Sequence, residues 1–268
     1  MPTPSSAGSL DRSPHLVKEF GSDADRLLAH LCLTYAPGKI PAPESTHATD
    51  LNTAAALGDV AVAERELARD PEAATRLGGP FEWEPLLYLA YARVAGGDHT
   101  RVAEMLLAAG ADPDSGYLWD GLPSPFTALT GAFGGGERDE PAHPAEHELA
   151  RLLLEAGADP NDSQTLYNRQ FRENDSHLEL LFEYGLGTGD GGRWHARVGA
   201  GHHTPEAMLH DVLLWAAANG QRRRVELMLA HGVDPRVDLP GHPVHRGLGP
   251  VELAVRGGHH DVAALLRG

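Results

Sequence analysis

Residues 102–114 read VAEMLLAAGADPD. Val102, Met105, Leu106 and Ala109 recur at i, i+3, i+4 and i+7, the spacing that gathers apolar side chains on one face of a helix. Gly110 supplies the left-handed conformation that closes a helix, and Pro113 keeps it from resuming. The same pattern returns at 149–161 (LARLLLEAGADPN) and 225–236 (VELMLAHGVDPR), more weakly at 178–185 (LELLFEYG), and truncated at 262–266. Its periodicity predicts that Leu106, Leu153, Leu181, Leu229 and Leu265 are buried between successive copies.

Each copy follows a shorter apolar segment. Residues 50–59 predict a short, Ala-rich helix ended by Gly, and 60–69 a second helix before Asp70-Pro71. Pro85 takes the first helical position of a segment running to Val94, after which Gly96-Gly97 break it. Further first helices are expected near Phe126–Leu129, Thr165–Tyr167, Val212–Ala217 and Pro250–Ala254. Helix, tight turn, helix, loop is therefore the unit, and about six fit. Ahead of them, residues 16–35 predict a helix with Leu27, Leu28, Leu31 and Tyr35 on one face and Asp23 capping its start.

At this point the chain resembles the ankyrin-repeat family, whose unit is about 33 residues long and opens on a T-P-L-H-x-A pattern. Pro250-Val251-Glu252-Leu253-Ala254 followed by Gly258-His259 reproduces that opening and the inter-helix turn, where the family's His bonds between repeats. Gly110-Ala111-Asp112-Pro113-Asp114 and Gly157-Ala158-Asp159-Pro160-Asn161 match the unit's end. The resemblance covers roughly residues 50–268. It implies an all-α ankyrin-repeat solenoid of about six helix-turn-helix units with an N-terminal helical cap. The expected organisation is a disordered N-terminus at 1–13, the cap at 14–48, and repeats at 49–268 with insertions near 134–146, 187–204 and 237–249. The first insertion reads as flexible and acidic. The helix from Pro85 is one turn longer than the family's usual first helix.

Departures from the repeat mark the candidate site. Seven aromatic residues fall between positions 81 and 126, among them Trp83, Tyr88, Tyr91, Tyr117 and Trp119, with Asp120 beside them. In the fourth unit Tyr167 stands at the family's His position and Arg169 at its Ala position, flanked by Asn168, Phe171, Asp175 and His177. Local rules broken in this way often coincide with function. Aromatic rings with polar tips suit a partner surface or a ring-bearing ligand. The competing expectation is that Phe81, Tyr88 and Phe126 are inter-repeat core and that the tryptophans brace loops.

Other chemistry finds little in the pattern. Asp175-Ser176-His177 is adjacent in sequence, whereas a catalytic triad converges from separate elements; Ser176 with Glu179 reads as a capping box. No G-x-S-x-G or P-loop occurs. The 16 histidines include His143 and His147, adjacent pairs at 202–203 and 259–260, and His242 with His245, without the three or four spaced ligands a zinc site needs. Cys32, the only cysteine, excludes an internal disulfide and reads as packing. A net charge of -16 argues against general nucleic-acid binding. No stretch of about 18 apolar residues or leader-like segment appears, so no membrane partner and a cytoplasmic location are expected. Arginine far outnumbers lysine, which suits a bacterial, GC-rich source. The sequence thus points to a non-catalytic protein-binding module, with no cofactor or metal, acting through the concave face of the stack. The alternative is a small-molecule-binding protein or enzyme with an aromatic-lined pocket on repeats 2–4. There Arg169 would hold an anion, and His177, Asp120 or Tyr167 would do acid–base work.

Overall fold

A computed structural model of the chain describes residues 10–32, 42–237 and 247–268. They form two compact units, the first from residues up to 134 together with 140–158, the second from 135–139 and 159–268.

The first unit opens with α1 (Asp23–Cys32). Ser22, not Asp23, makes the reciprocal cap: Asp25 N donates to Ser22 Oγ, and Ser22 N donates to the Asp25 carboxylate. Asp23 instead accepts from the backbone N–H groups of Glu44 and Ser45, which holds its carboxyl below the ordinary carboxylate range. Tyr35 lies outside the described residues. Next come the pairs α2 (Leu51–Leu57) and α3 (Val60–Arg69), α4 (Pro85–Tyr91) and α5 (His99–Ala108), and α6 (Ala128–Phe133) and α7 (Glu146–Glu155). First helices pack on first helices, α2 on α4 and α4 on α6, while α3 meets α5 and α5 meets α7. Two layers result, and α1 covers α2 and α4. Aspartates start these helices by accepting from the third residue on: Asp50 from Thr53 N, Asp59 from Val62 N, Asp98 from Arg101 N. His99 reaches back across the inter-repeat turn, its Nε2 3.1 Å from Ala56 O.

The second unit contains α8 (Ser163–Arg169), α9 (Ser176–Glu183), α10 (Gly192–Val198), α11 (Pro205–Ala218), α12 (Arg222–Ala230), α13 (Pro250–Arg256) and α14 (His260–Leu265). Here α11 packs on α8 and α13, and α12 on α14.

The recurring closure has one geometry in both units. Gly110, Gly157, Gly185 and Gly232 all take positive φ. The next residue's N–H then bonds back five positions: Ala111 to Leu106 O, Ala158 to Leu153 O, Leu186 to Leu181 O, Val233 to Met228 O. This is the bond of a Schellman helix end. The Asp-Pro step after it closes as an Asx turn, with Asp112, Asp159 and Asp234 accepting from the N–H two residues on. The residue whose carbonyl accepts each closing bond is also the buried apolar anchor, so the fourth anchor is Met228. Leu229, expected in the core, is only half-buried, and at the end of the chain Leu266 is buried where Leu265 is half-buried.

Several expectations are corrected. The helix from Pro85 ends at Tyr91 rather than Val94, and the long first helix is α11, of 14 residues. Loop residues 116–127 form an antiparallel hairpin, β1 (Gly116–Leu118) and β2 (Pro125–Thr127), with Tyr117 opposite Phe126. Residues 10–13, expected within the disordered start, bond to β1: Leu118 N donates to Leu10 O at 3.0 Å. The first insertion is tied down, since Gly136 N donates to Asn168 O at 2.8 Å. Gly135 is required there, because a Cβ on it would stand 2.7 Å from that same carbonyl. The Gly-rich insertion near 187–204 contains α10, anchored by buried Trp194. The insertion near 237–249 lies, at 238–246, outside the described residues.

Candidate functional site

The nominated aromatics of the first unit turn inward. Trp83, Tyr88, Tyr91 and Tyr117 are all buried. Trp83 sits among them, 5.4 Å from Tyr88, 5.2 Å from Tyr91 and 4.9 Å, stacked, from Tyr117. Tyr88 Oη donates to Gly78 O and accepts from Phe81 N, and burial pushes its phenol up. These rings are core, and of them only the Nε1 edge of Trp83 reaches outward, to Arg12 O. Phe126 stacks on Tyr117 at 5.4 Å. Trp119 is half-exposed, stacked on His15 at 4.5 Å, and exposed Asp120 pairs with His15 Nε2 at 2.9 Å.

In the second unit the nominated residues divide by depth. Asn168, Arg169, Asp175 and His177 are buried. Asn168 Oδ1 accepts from Gln164 Nε2. Arg169 is 2 % exposed, so its guanidinium is not offered to an anion from solution. Asp175 stands at the N-cap of α9 without capping it, and the capping box expected at Ser176 is absent; Ser176 N and Oγ both donate to Asn174 Oδ1. The carboxylate of Asp175 instead meets Arg224 Nε at 2.6 Å, both side chains being 1 % exposed.

Arg224 is the residue that sequence reasoning missed. Its guanidinium fills the space below the C-terminal end of α8, where helix carbonyls lack intrahelical partners. It donates to Gln170 O at 3.1 Å, Arg169 O at 3.4 Å and Arg172 O, and to Gln221 Oε1 at 2.9 Å. Gln170 O accepts two further donors, Trp215 Nε1 at 3.1 Å and Gln221 Nε2 at 2.9 Å. A planar cation suits this place because its donors fan out to several carbonyls while the partial negative charge of the helix end attracts it. The only signal in sequence was Arg222-Arg223-Arg224, of which a run alone does not say which member turns inward.

Above this support the side chains face out. Tyr167 is 40 % and Phe171 37 % exposed. Tyr167 meets Phe171 edge-on at 5.4 Å, and Phe171 meets half-exposed Trp215 edge-on at 5.2 Å. The three rings form a row from α8 across to α11. Tyr167 Oη donates to Glu137 Oε1 at 2.8 Å; desolvation and this carboxylate push the phenol up to about 12. Arg172 pairs with Asp139 beside it. Trp215 was not nominated from sequence, because position 215 reads as one more apolar residue of α11.

The repeated pairing, the Schellman closures and the His99 bond across the turn together define the architecture. No protein-family model and no curated protein matches the sequence. Among solved structures the chain is similar to an ankyrin repeat domain from Acinetobacter baumannii, with a TM-score of 0.54 and 18 % identity over 81 % of this chain and 95 % of that one. The chain has the ankyrin-repeat fold. Within its repeats, the histidines close in sequence part, while His99 meets His143 edge-on at 4.8 Å and His195 lies 6.1 Å from His202. His143 is buried, with Nδ1 accepting from Ala145 N, while His147 is exposed. His202 is buried and His203 turns to Asp211. Among the described residues no group of three or more His, Cys, Asp or Glu could hold a metal ion, and no helix is long and apolar enough to cross a membrane. Cys32 is buried with its Sγ on Tyr88 O, and desolvation pushes its thiol up.

Proposed function

We propose that this ankyrin-repeat chain is a non-catalytic protein-binding module whose recognition surface is the row Tyr167, Phe171 and Trp215. The observation that carries the reading is that these rings are exposed yet fixed. Partner surfaces concentrate binding energy in aromatic anchors, and anchors held from beneath lose little freedom when they bind. Arg224, Gln170 and Gln221 supply that hold, and Glu137 fixes the tip of Tyr167. The catalytic alternative gives Arg169 the task of holding an anion, and Arg169 is buried, as is His177, while the exposed Asp120 and Tyr167 lie in different units. The reading takes the protein as cytoplasmic, with a protein partner and no nucleic acid.

The test is native affinity capture from the cells that make the protein, with three baits compared. The wild type and Val255→Ala, which alters an exposed apolar residue of α13, should retain the same partner. Tyr167→Ala/Phe171→Ala should lose it. Equal recovery of every captured protein by all three baits would remove the row from the account.

A further inference from the structure

The second candidate surface lies in the first unit, and there the residues nominated for partner contact already have one. We propose that the edge of β1 together with Trp119 and Asp120 is a groove for an extended peptide with a Ser-Pro-ring step, and that the chain's own residues 10–15 fill it in cis. The contacts are those of peptide recognition by strand addition, in which main-chain bonds supply affinity and side-chain contacts supply choice. Leu118 N donates to Leu10 O, and Asp11 forms a parallel bridge with Leu118. Trp83 Nε1, the polar tip of an otherwise buried ring, donates to Arg12 O at 3.2 Å.

Choice comes from three successive side chains. Ser13 is buried, its Oγ accepting from Asp120 N at 2.8 Å and lying 3.2 Å from Leu118 O and 2.5 Å from Asp11 Oδ1. Pro14 is buried and keeps Ser13 extended, at φ -63 and ψ 122. His15 lays its ring on Trp119 and its Nε2 on Asp120. Asp120 serves both neighbours from a backbone with φ 51, a conformation that costs a non-glycine residue energy. That strain is spent on directing one N–H to a serine hydroxyl and one carboxylate to an imidazole.

A tethered segment competes with a free one through its effective concentration, on the order of millimolar for a short tether. The cis segment therefore masks the groove from weak partners and yields to a tighter one. This surface is separate from the aromatic row of the second unit, and its test does not depend on that row.

The probe is a fluorescein-labelled peptide of residues 9–17, read by polarisation against the full chain. The wild type should bind it weakly. Ser13→Ala/His15→Ala, which alters only the cis segment, should bind it at least tenfold more tightly, and adding Trp119→Ala should reverse that gain. His15→Ala alone, at an exposed side chain, should give a smaller gain in the same direction and guards against misfolding of the double variant. Equal affinity in the wild type and in both cis-segment variants, or a gain indifferent to Trp119→Ala, would overturn the proposal. A wild-type chain that runs as a dimer and is dispersed by the double variant would assign the groove to a second copy and overturn the cis arrangement.

Discussion

Arg224 and Asp175 form a buried ion pair whose partners cannot be removed one at a time without leaving a charge unpaired. Arg224→Ala strands the Asp175 carboxylate and removes a donor from the carbonyls of Arg169, Gln170 and Arg172. Breaking such a pair typically costs about 3–5 kcal/mol, and a urea titration should show that loss. A change under about 1 kcal/mol would mean that solvent or a neighbour takes over the guanidinium's contacts. Two buried histidines add a pH dependence. Desolvation, with His99 and Arg93 nearby, lowers His143 to about 3; desolvation, with His195 nearby, lowers His202 to about 4. Both stay neutral in the fold while the unfolded chain takes up protons below the ordinary value of 6.5. Their contribution is therefore complete above about pH 6.5 and is lost as pH falls to about 4 for His202 and about 3 for His143. Urea midpoints should drop between pH 7 and pH 5, and His143→Gln should show a smaller drop than the wild type. At this scale the sequence was least legible. Tyr167 and Phe171 stood out because the repeat does not ask for rings there. Trp83, Tyr88, Tyr91 and Tyr117 stood out equally and are core, since an aromatic excess fills a hydrophobic interior as readily as it covers a surface.

Elements were read more easily, because what begins and ends them is local. Residues 60–69 were expected as a helix and are α3 over the same span, with Asp59 capping and Asp70 following. The closures at Gly110, Gly157, Gly185 and Gly232 need only a glycine and a buried residue four places before it. That register corrects the core list and makes a prediction. Leu153→Ala, at a fully buried anchor, should cost about 2–5 kcal/mol. Leu229→Ala, half-buried beside the true anchor Met228, should cost clearly less, and equal losses in thermal or urea unfolding would refute the register. The β1–β2 hairpin and α10 were not legible. The first joins strands of only three residues each, too short for an alternating pattern to show, and the second opens on Gly191-Gly192 within a stretch whose composition favours a loop.

At the scale of the whole molecule, the ankyrin-repeat fold was legible from recurrence in register, which no single motif supplied. Repeat proteins are stabilised mainly by contacts between neighbours, so damage stays local. Trp83 lies in the first unit and Trp215 in the second. In Arg224→Ala the environment of Trp215 should change at lower urea than that of Trp83, read in variants that keep one reporter each; coincident transitions would contradict separable units. The central claim is that fixed, exposed rings recognise a partner. It is tested most directly by calorimetric titration of the captured partner into Phe171→Ala and Tyr167→Ala. Each should weaken binding by about 1–3 kcal/mol with an unchanged unfolding midpoint. Wild-type affinity in both variants would contradict the account.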